Sequence, residues 1–330
     1  MAAGAGQRTG QRAERSAGRK ASPASEPRVH LFDGHVYIFR AYHSLPPMQT
    51  PEGLPCQAAY GFANTLIRYL ADERPSHAAV CLDAAMTSFR NEIEPLYKAQ
   101  RGEPPADLEP QFAICREISE ALGFPTWEVA DYEADDLIGT IADAVVRLRG
   151  SVRILTTDKD LCQLVCEDGR VVVHDLAREK TFDAAGVRER FGVSPGQIPD
   201  YLGLVGDSVD NLPGVPGIGP KSAAAVLSAF GTIDAVPSAV EAWSELPVRG
   251  AARLAAKIAE HRERALRTRE LATVVRTVPG VEPSLEALAY RGADRERVAA
   301  LFDRLGWDRI RDRIPRWRGE ARQRSAAGAP

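Results

Sequence analysis

Four short apolar runs, VHLFD, HAAVCLD, SVRILTTD and RVVVHD, each end on an aspartate: Asp33, Asp83, Asp158 and Asp175. Around and between them lie residues 58–71, 108–122 and 134–148, whose apolar positions recur at helical spacing. Strands that alternate with helices run parallel, so the pattern predicts an α/β domain with a mainly parallel central sheet flanked by helices. In a parallel sheet all carboxyl ends lie along one edge, where open α/β folds place their ligands. Asp33, Asp83 and Asp158 are therefore expected to converge. From about residue 183 the sequence becomes mainly helical with Gly/Pro turns, which predicts a helical region after the α/β domain.

Further acids fall at equivalent places. DYEADDLIGT brings Glu133, Asp135 and Asp136 to the start of a helix, where the macrodipole favours negative charge. TTDKD sets Asp160 beside Asp158, and GDSVDN supplies Asp207 and Asp210. Any one of them read alone is a cap, a turn or a solvated charge, as Asp131 and Asp143 are read. Four segments with acids at strand ends and tight turns point instead to one pocket. Like charges at close range oppose ionisation, so bound cations are expected there. All-oxygen donors without His or Cys favour Mg²⁺ or Mn²⁺ over zinc. Two such ions, roughly 4 Å apart, clamp the attacking and leaving oxygens of a phosphoryl displacement. The chemistry expected is phosphodiester hydrolysis.

Length and composition fit this reading. The chain has 330 residues, 44% of them hydrophobic, enough to bury the core of one large or two modest domains. No run of about 18 apolar residues and no apolar leader is present, so a cytoplasmic protein without a membrane span is expected. Five cysteines in no CxxC pair predict reduced thiols, and Cys162 and Cys166 with His174 fall short of a zinc set. The formal charge of −3 becomes +6 once the nine pocket acids are set aside, which leaves a basic surface for an anionic partner. Residues 1–27 read as a disordered basic tail, with a transit peptide as the functional alternative. Residues 313–330 read as a flexible tail.

In order and spacing, LFDGHVYIFRAYH, LDAAMTSFRNEIEPLYKAQR, YEADDLIGT, TTDKDLCQLV and GDSVDNLPGVPGIGPKSA resemble the 5′ nuclease (flap endonuclease) family, nearest the 5′-3′ exonuclease domain of bacterial DNA polymerase I. The resemblance runs from about residue 29 to 311. It implies a PIN-like nuclease domain over 28–195 and a helical DNA-binding region over 196–312. It also implies that Asp33, Asp83, Glu133, Asp135, Asp136, Asp158, Asp160, Asp207 and Asp210 hold two ions, the first five nearest the catalytic one. A helical arch over about 88–112 would admit the 5′ strand, with Arg90, Lys98 and Arg101 as its basic face and Phe89 and Tyr97 as aromatics. Lys98 and Arg101 would also steady developing charge.

The same resemblance puts Arg40 on phosphate and Tyr42 on a base. A helix-three-turn-helix over about 207–230 would grip duplex backbone through Gly214, Gly217, Gly219, Lys221 and Ser222, with a monovalent cation at the turn. AAMTSFR after Asp83 and GEPP after Arg101 depart from the family pattern and touch no acid. The expected activity is 5′-3′ exonucleolytic hydrolysis of double-stranded DNA with a 5′ end, gap or flap. The expected agent is a monomer working beside a DNA polymerase in trans, at the nucleoid. Two rivals are a catalytically silent DNA-binding module and a PIN-type endoribonuclease; complete acids oppose the first, and chain length and the helix-three-turn-helix oppose the second.

Overall fold

Val29, Leu31 and Phe32 of RVHLFD are all fully buried, although neighbours on a strand point to opposite faces. A strand covered on both sides belongs at the centre of a parallel sheet. In the computed structural model, which describes residues 26–243 and 250–320, it is β1 (Arg28–Asp33). It is followed by α1 (Gly34–Ser44), α2 (Gln57–Glu73), β2 (His77–Cys81), α3 (Phe89–Ile93), α4 (Glu109–Ala121), β3 (Thr126–Trp127), α5 (Ala134–Arg147) and β4 (Ser151–Leu155). β5 (Val171–Asp175) and β6 (Lys180–Phe182) complete the sheet, in the order β3-β2-β1-β4-β5-β6, with only β6 antiparallel.

The chain builds outward from β1 to β3, then crosses back to lay β4 on the other side of β1. The strand order therefore reverses between β1 and β4, and a crevice opens at their carboxyl ends. Register sets Asp33 opposite Cys81 and Phe32 opposite Leu155, so Asp33, Asp83 and Asp158 leave the sheet on one edge. Asp175, at the end of β5, serves the turn that follows it, where its carboxylate accepts from the N–H groups of Ala177 and Arg178.

One apolar layer joins α5, through Leu137, Ile138, Ile141 and Val145, to the helical region. That region comprises α6 (Ala184–Phe191), α7 (Ile198–Val205), the two-strand ribbon β7 (Gly206–Asp207) and β8 (Leu212–Pro213), α8 (Pro220–Phe230) and α9 (Ala251–Ala272). The opposite layer holds α1, α2 and α4 together with α10 (Arg295–Leu305) and α11 (Asp308–Arg311). The C-terminal stretch returns to the first domain: Ala289 bridges to His77, the Asp294 N–H donates to the Ala121 carbonyl, and Trp307 meets Tyr60 edge to face. The expected tail over 313–330 is thus corrected for residues 313–320, because Ile314 is buried and the Ala293 N–H donates to the Arg316 carbonyl. Residues 321–330 and, of the expected N-terminal tail, residues 1–25 lie outside the described residues. Among the described residues no helix is long and apolar enough to cross a membrane. All five cysteines are free thiols.

β1 also buries His30, whose Nδ1 lies 2.5 Å from the Tyr69 hydroxyl. Burial, assisted by Arg153, pushes its pKa from 6.5 down to about 3. The folded imidazole stays neutral while the unfolded chain takes up a proton below about 6.5. This contribution to stability is present at pH 7 and lost as pH falls towards 3. At pH 5 the loss is about 2 kcal/mol. Chemical denaturation of His30→Gln should show a stability drop from pH 7 to pH 5 smaller than that of the native chain by this amount. Equal drops would show that His30 titrates normally.

Candidate acid centre and nucleic-acid interface

The crevice collects carboxylates. Asp33 is 4% exposed, and its Oδ2 accepts from the Thr156 hydroxyl at 2.7 Å. The same Thr156 oxygen accepts from the Asp158 N–H, so one hydroxyl fixes the acids of β1 and of the turn after β4 together. Asp83 Oδ1 takes the Ala134 N–H, at the start of α5, at 2.7 Å, and the Asp83 N–H donates to His35 Nδ1. Asp135 has no hydrogen-bond donor among the described residues and lies in the field of Asp158 and Asp33. Burial, reinforced by Asp83 and Asp158, raises the Asp33 pKa to about 7, and burial with the neighbouring carboxylates lifts Asp135 and Asp158 as well.

A second set adjoins the first. Asp160 opens a short helical turn (Asp160–Leu164), and its N–H donates to Asp158 Oδ1 at 2.8 Å. Its own Oδ1 is buried without a partner, and burial plus Asp158, Asp207 and Asp210 push its pKa well above the carboxylate range. Asp207 is paired with Lys159 at 2.7 Å. The turn between β7 and β8 is not helical, yet Asp207, at the end of β7, and Asp210, within the turn, are both buried.

Glu133 belongs to both worlds. Its Oε1 accepts from Ser88 at 2.8 Å, and its Oε2 pairs with Lys98 Nζ at 2.7 Å. Burial would raise its pKa, but Lys98 and Arg90 outweigh that and hold it low. Lys98 stands at φ 54°, a left-handed conformation costly to a side-chain-bearing residue, and is held there by its N–H on the Asp210 carbonyl. Arg101 pairs with Asp210, Gln100 donates to the Ser208 carbonyl, and Asn211 donates to the Leu96 carbonyl. The segment expected to arch over the site is thus α3 plus one turn (Ala99–Arg101), tied down on the 208–211 turn.

Three expected site residues are corrected. Arg90 does not line a basic face: it is 2% exposed and forks onto Asp136 at 2.7 and 2.8 Å, while also donating to the Leu271 and Thr273 carbonyls. Asp136 is fully buried, and the N–H groups of Val275 and Glu133 complete four donors on its two oxygens, so no lone pair faces the crevice. Tyr97 is 3% exposed, with its hydroxyl 3.2 Å from Glu133 Oε2 and 3.3 Å from Asp210 Oδ2; it is a wall, not a stacking platform. As the carboxylates stand, no three acid, His or Cys side chains among the described residues are grouped tightly enough to hold an ion. Lys98, Lys159 and Arg101 pair with the acids instead.

Of the residues expected to meet nucleic acid, Arg40 is exposed on a groove wall beside Tyr37, Asp72, Glu73 and His174. Tyr42 is half-buried and donates to Asp107. Gly214 serves the protein's own packing, since a Cβ there would fall 2.3 Å from the Val205 carbonyl carbon. Gly219 and Lys221 are exposed at the start of α8, Gly217 is exposed at φ +77°, and Ser222 is half-buried. Sequence reasoning missed Thr156, His35, Ser88 and Lys159. Each lies within two residues of an acid in sequence, except Ser88, whose tie to Glu133 is visible only in the fold. Replacing Arg90 by Ala strands a buried carboxylate, and urea denaturation should show a loss of about 3–5 kcal/mol. A loss under about 1 kcal/mol would mean that the pair does not bind the layers together.

Comparison with known proteins agrees with this architecture. The domain described as 5'-3' exonuclease, N-terminal resolvase-like domain, matches residues 28–192, and the one described as 5'-3' exonuclease, C-terminal SAM fold, matches residues 193–296. DNA polymerase I of Bacillus caldotenax is 38% identical over 289 residues, 86% of this chain but 32% of that protein, so the chain spans about a third of this relative's length. A 5'-3' exonuclease of Aquifex aeolicus is 39% identical over 206 residues, 62% of this chain and 71% of that protein. Among solved structures, T5 5'-exonuclease with bound divalent zinc superposes with a TM-score of 0.60 at 20% identity, covering 87% of this chain and 99% of that one. The catalytic core of Rad2 with a DNA substrate gives 0.57 at 14% identity, covering 88% and 91%. These two share its fold: a mostly parallel, PIN-like sheet layer followed by a helical domain. With the two domains of that family matched in succession over residues 28–296, the chain belongs to the 5'-3' exonuclease family.

Proposed function

We propose that the chain hydrolyses DNA phosphodiesters at or near 5′ ends, in double-stranded DNA bearing a 5′ end, gap or flap, with two hard divalent ions, Mg²⁺ or Mn²⁺. The observation that carries this is the set of crowded, mutually repelling carboxylates with unmet acceptors: half-buried Asp135 without a donor and buried Asp160 with an orphaned oxygen. Carboxylates of normal acidity do not stay crowded and desolvated unless a cation draws them together. The donor chemistry fits such ions, and the carboxylates would close in on them from their present spacing. Asp33, Asp83, Glu133, Asp135 and Asp158 would hold one, and Asp158, Asp160, Asp207 and Asp210 the other, all through oxygen. When bound, the ions supply Lewis-acid charge to the phosphoryl oxygens.

The chain's own residues position the rest. Thr156 locks Asp33 in one rotamer by its hydroxyl, and His35 and the first turn of α5 do the same for Asp83. Lys98 and Arg101, poised on Glu133 and Asp210, are placed to turn their charge onto a phosphate once cations relieve those acids. Lys221 and the N-terminus of α8 would hold the duplex backbone. The match to about a third of DNA polymerase I supports work beside a polymerase on the same gap, and DNA as substrate would bring the protein to the nucleoid.

Digestion of a 5′-labelled flap, a nicked duplex and a single strand in Mg²⁺, with and without EDTA, tests the reading. Short 5′ products from the duplex substrates, abolished by EDTA, are expected; no cleavage in Mg²⁺ or Mn²⁺ would leave a DNA-binding module. Asp135→Asn should reduce turnover by at least about a hundredfold with duplex affinity retained. Lys221→Ala should weaken binding with a log–log salt slope shallower by about 1. Native turnover in Asp135→Asn would show that the acid assignment is wrong.

A further inference from the structure

The resemblance implies a monovalent cation at the turn between β8 and α8, and the carbonyls of that turn argue otherwise. The Pro213 carbonyl accepts from the Thr268 hydroxyl at 2.8 Å, the Val215 carbonyl from the Ile218 N–H at 3.0 Å, and the Pro216 carbonyl from Lys257 Nζ at 2.6 Å. Three carbonyls of the turn thus accept protein donors, and at Pro216 that donor is itself a cation. Two of these donors, Thr268 and Lys257, come from α9, which packs on α7 and β8. Lys257 is therefore fixed by a helix and not by the turn. A Cβ on Gly217 would sit 2.3 Å from Lys257 Nζ, so glycine is what gives the ammonium room.

That ammonium lies beside bare backbone. Pro216, Gly217, Gly219, Pro220 and Lys221 are all exposed, and nothing stands within 4 Å of where a Gly219 side chain would be. In the first turn of α8 the N–H groups of Lys221 and Ser222 have no intrahelical partner, and Pro220 brings none. A lysine ammonium uses one of its three protons on Pro216 and keeps two.

We infer that Lys257 is the built-in cation of the duplex grip: it takes the place of a monovalent ion at this turn, and a strand phosphate sits between its ammonium and the start of α8. This rests on the proposed function, in which the helix-three-turn-helix holds duplex DNA. Because the charge is covalently attached, the grip depends on total ionic strength but not on which monovalent cation is present.

The test is equilibrium binding of a 5′-flap duplex by fluorescence anisotropy in EDTA, in matched concentrations of KCl or tetramethylammonium chloride, a cation too bulky for a carbonyl site. The native chain is expected to bind equally in both salts, within about twofold. Lys257→Met should bind about tenfold more weakly in tetramethylammonium, with a salt slope lower by about 1, and recover part of the loss in KCl; Lys257→Arg should bind nearly as the native chain. A melting curve for each variant shows that the fold persists. Loss of native binding on replacing K⁺, or native affinity and slope in Lys257→Met, would overturn the inference while leaving duplex binding intact. Absence of duplex binding by the native chain would overturn both it and the grip, whereas the nuclease reading stands or falls on Mg²⁺-dependent cleavage.

Discussion

The Arg90–Asp136 pair joins the three parts of the protein that have to agree in position. Asp136 rides on the first turn of α5, Arg90 on α3 at the base of the 94–101 segment, and the carbonyls of Leu271 and Thr273 belong to the end of α9 and the chain just past it. Buried charges in a medium of low polarity tolerate few geometries, because every donor and acceptor has to be met at once. Here all are met. The fork therefore sets where Glu133 and Asp135, close before it in sequence, stand relative to the helical region. An apolar contact of equal area would leave that register free to slide.

Around this fixed point the acid crevice is an electrostatic problem solved provisionally. Lys98 holds Glu133, Arg101 holds Asp210 and Lys159 holds Asp207, while Asp33, Asp135, Asp158 and Asp160 push one another's acidity down. The cations that restrain the acids come from the segments that would also touch a nucleic acid. Under the proposed function, charge arriving at the acids and charge leaving them for phosphate would be two sides of one exchange, and the left-handed Lys98 is where the backbone strain of the arrangement is kept.

Much of this was legible in the sequence. Apolar runs ending in Asp33, Asp83 and Asp158 announced parallel strands with acids on one edge, since strand burial and strand direction both leave a mark on residue pattern. Helices at 57–73, 109–121 and 134–147 fell within two residues of the periodicity. What failed was the orientation of charged and aromatic side chains. Arg90 and Lys98 both look like basic surface residues in NEIEPLYKAQR and its preceding FR, yet one is locked inside and the other faces the crevice, a distinction made by Asp136 and Glu133 far along the chain. Asp136 itself sits one residue from Asp135; about 100° of helical rotation turns its carboxylate from the crevice into the core. Within the return of residues 288–317 to the first layer, Val298, Leu301, Phe302 and Leu305 mark α10 as a helix by their spacing, but that it packs on α4, and that Ala289 and Trp307 reach His77 and Tyr60, is decided by the fold alone.

That return has a geometric consequence. The helical region leaves the sheet layer after β6 and is anchored back to it where Ala289 bridges β2, at the other side of the sheet. A body held at two separated points cannot pivot as one hung from a single linker can. The distance between the α8 turn and the Asp33 crevice then becomes a property of the sheet's width instead of a hinge angle, so under the proposed function the fold would carry its own ruler for how far along a duplex the cut falls from the grip.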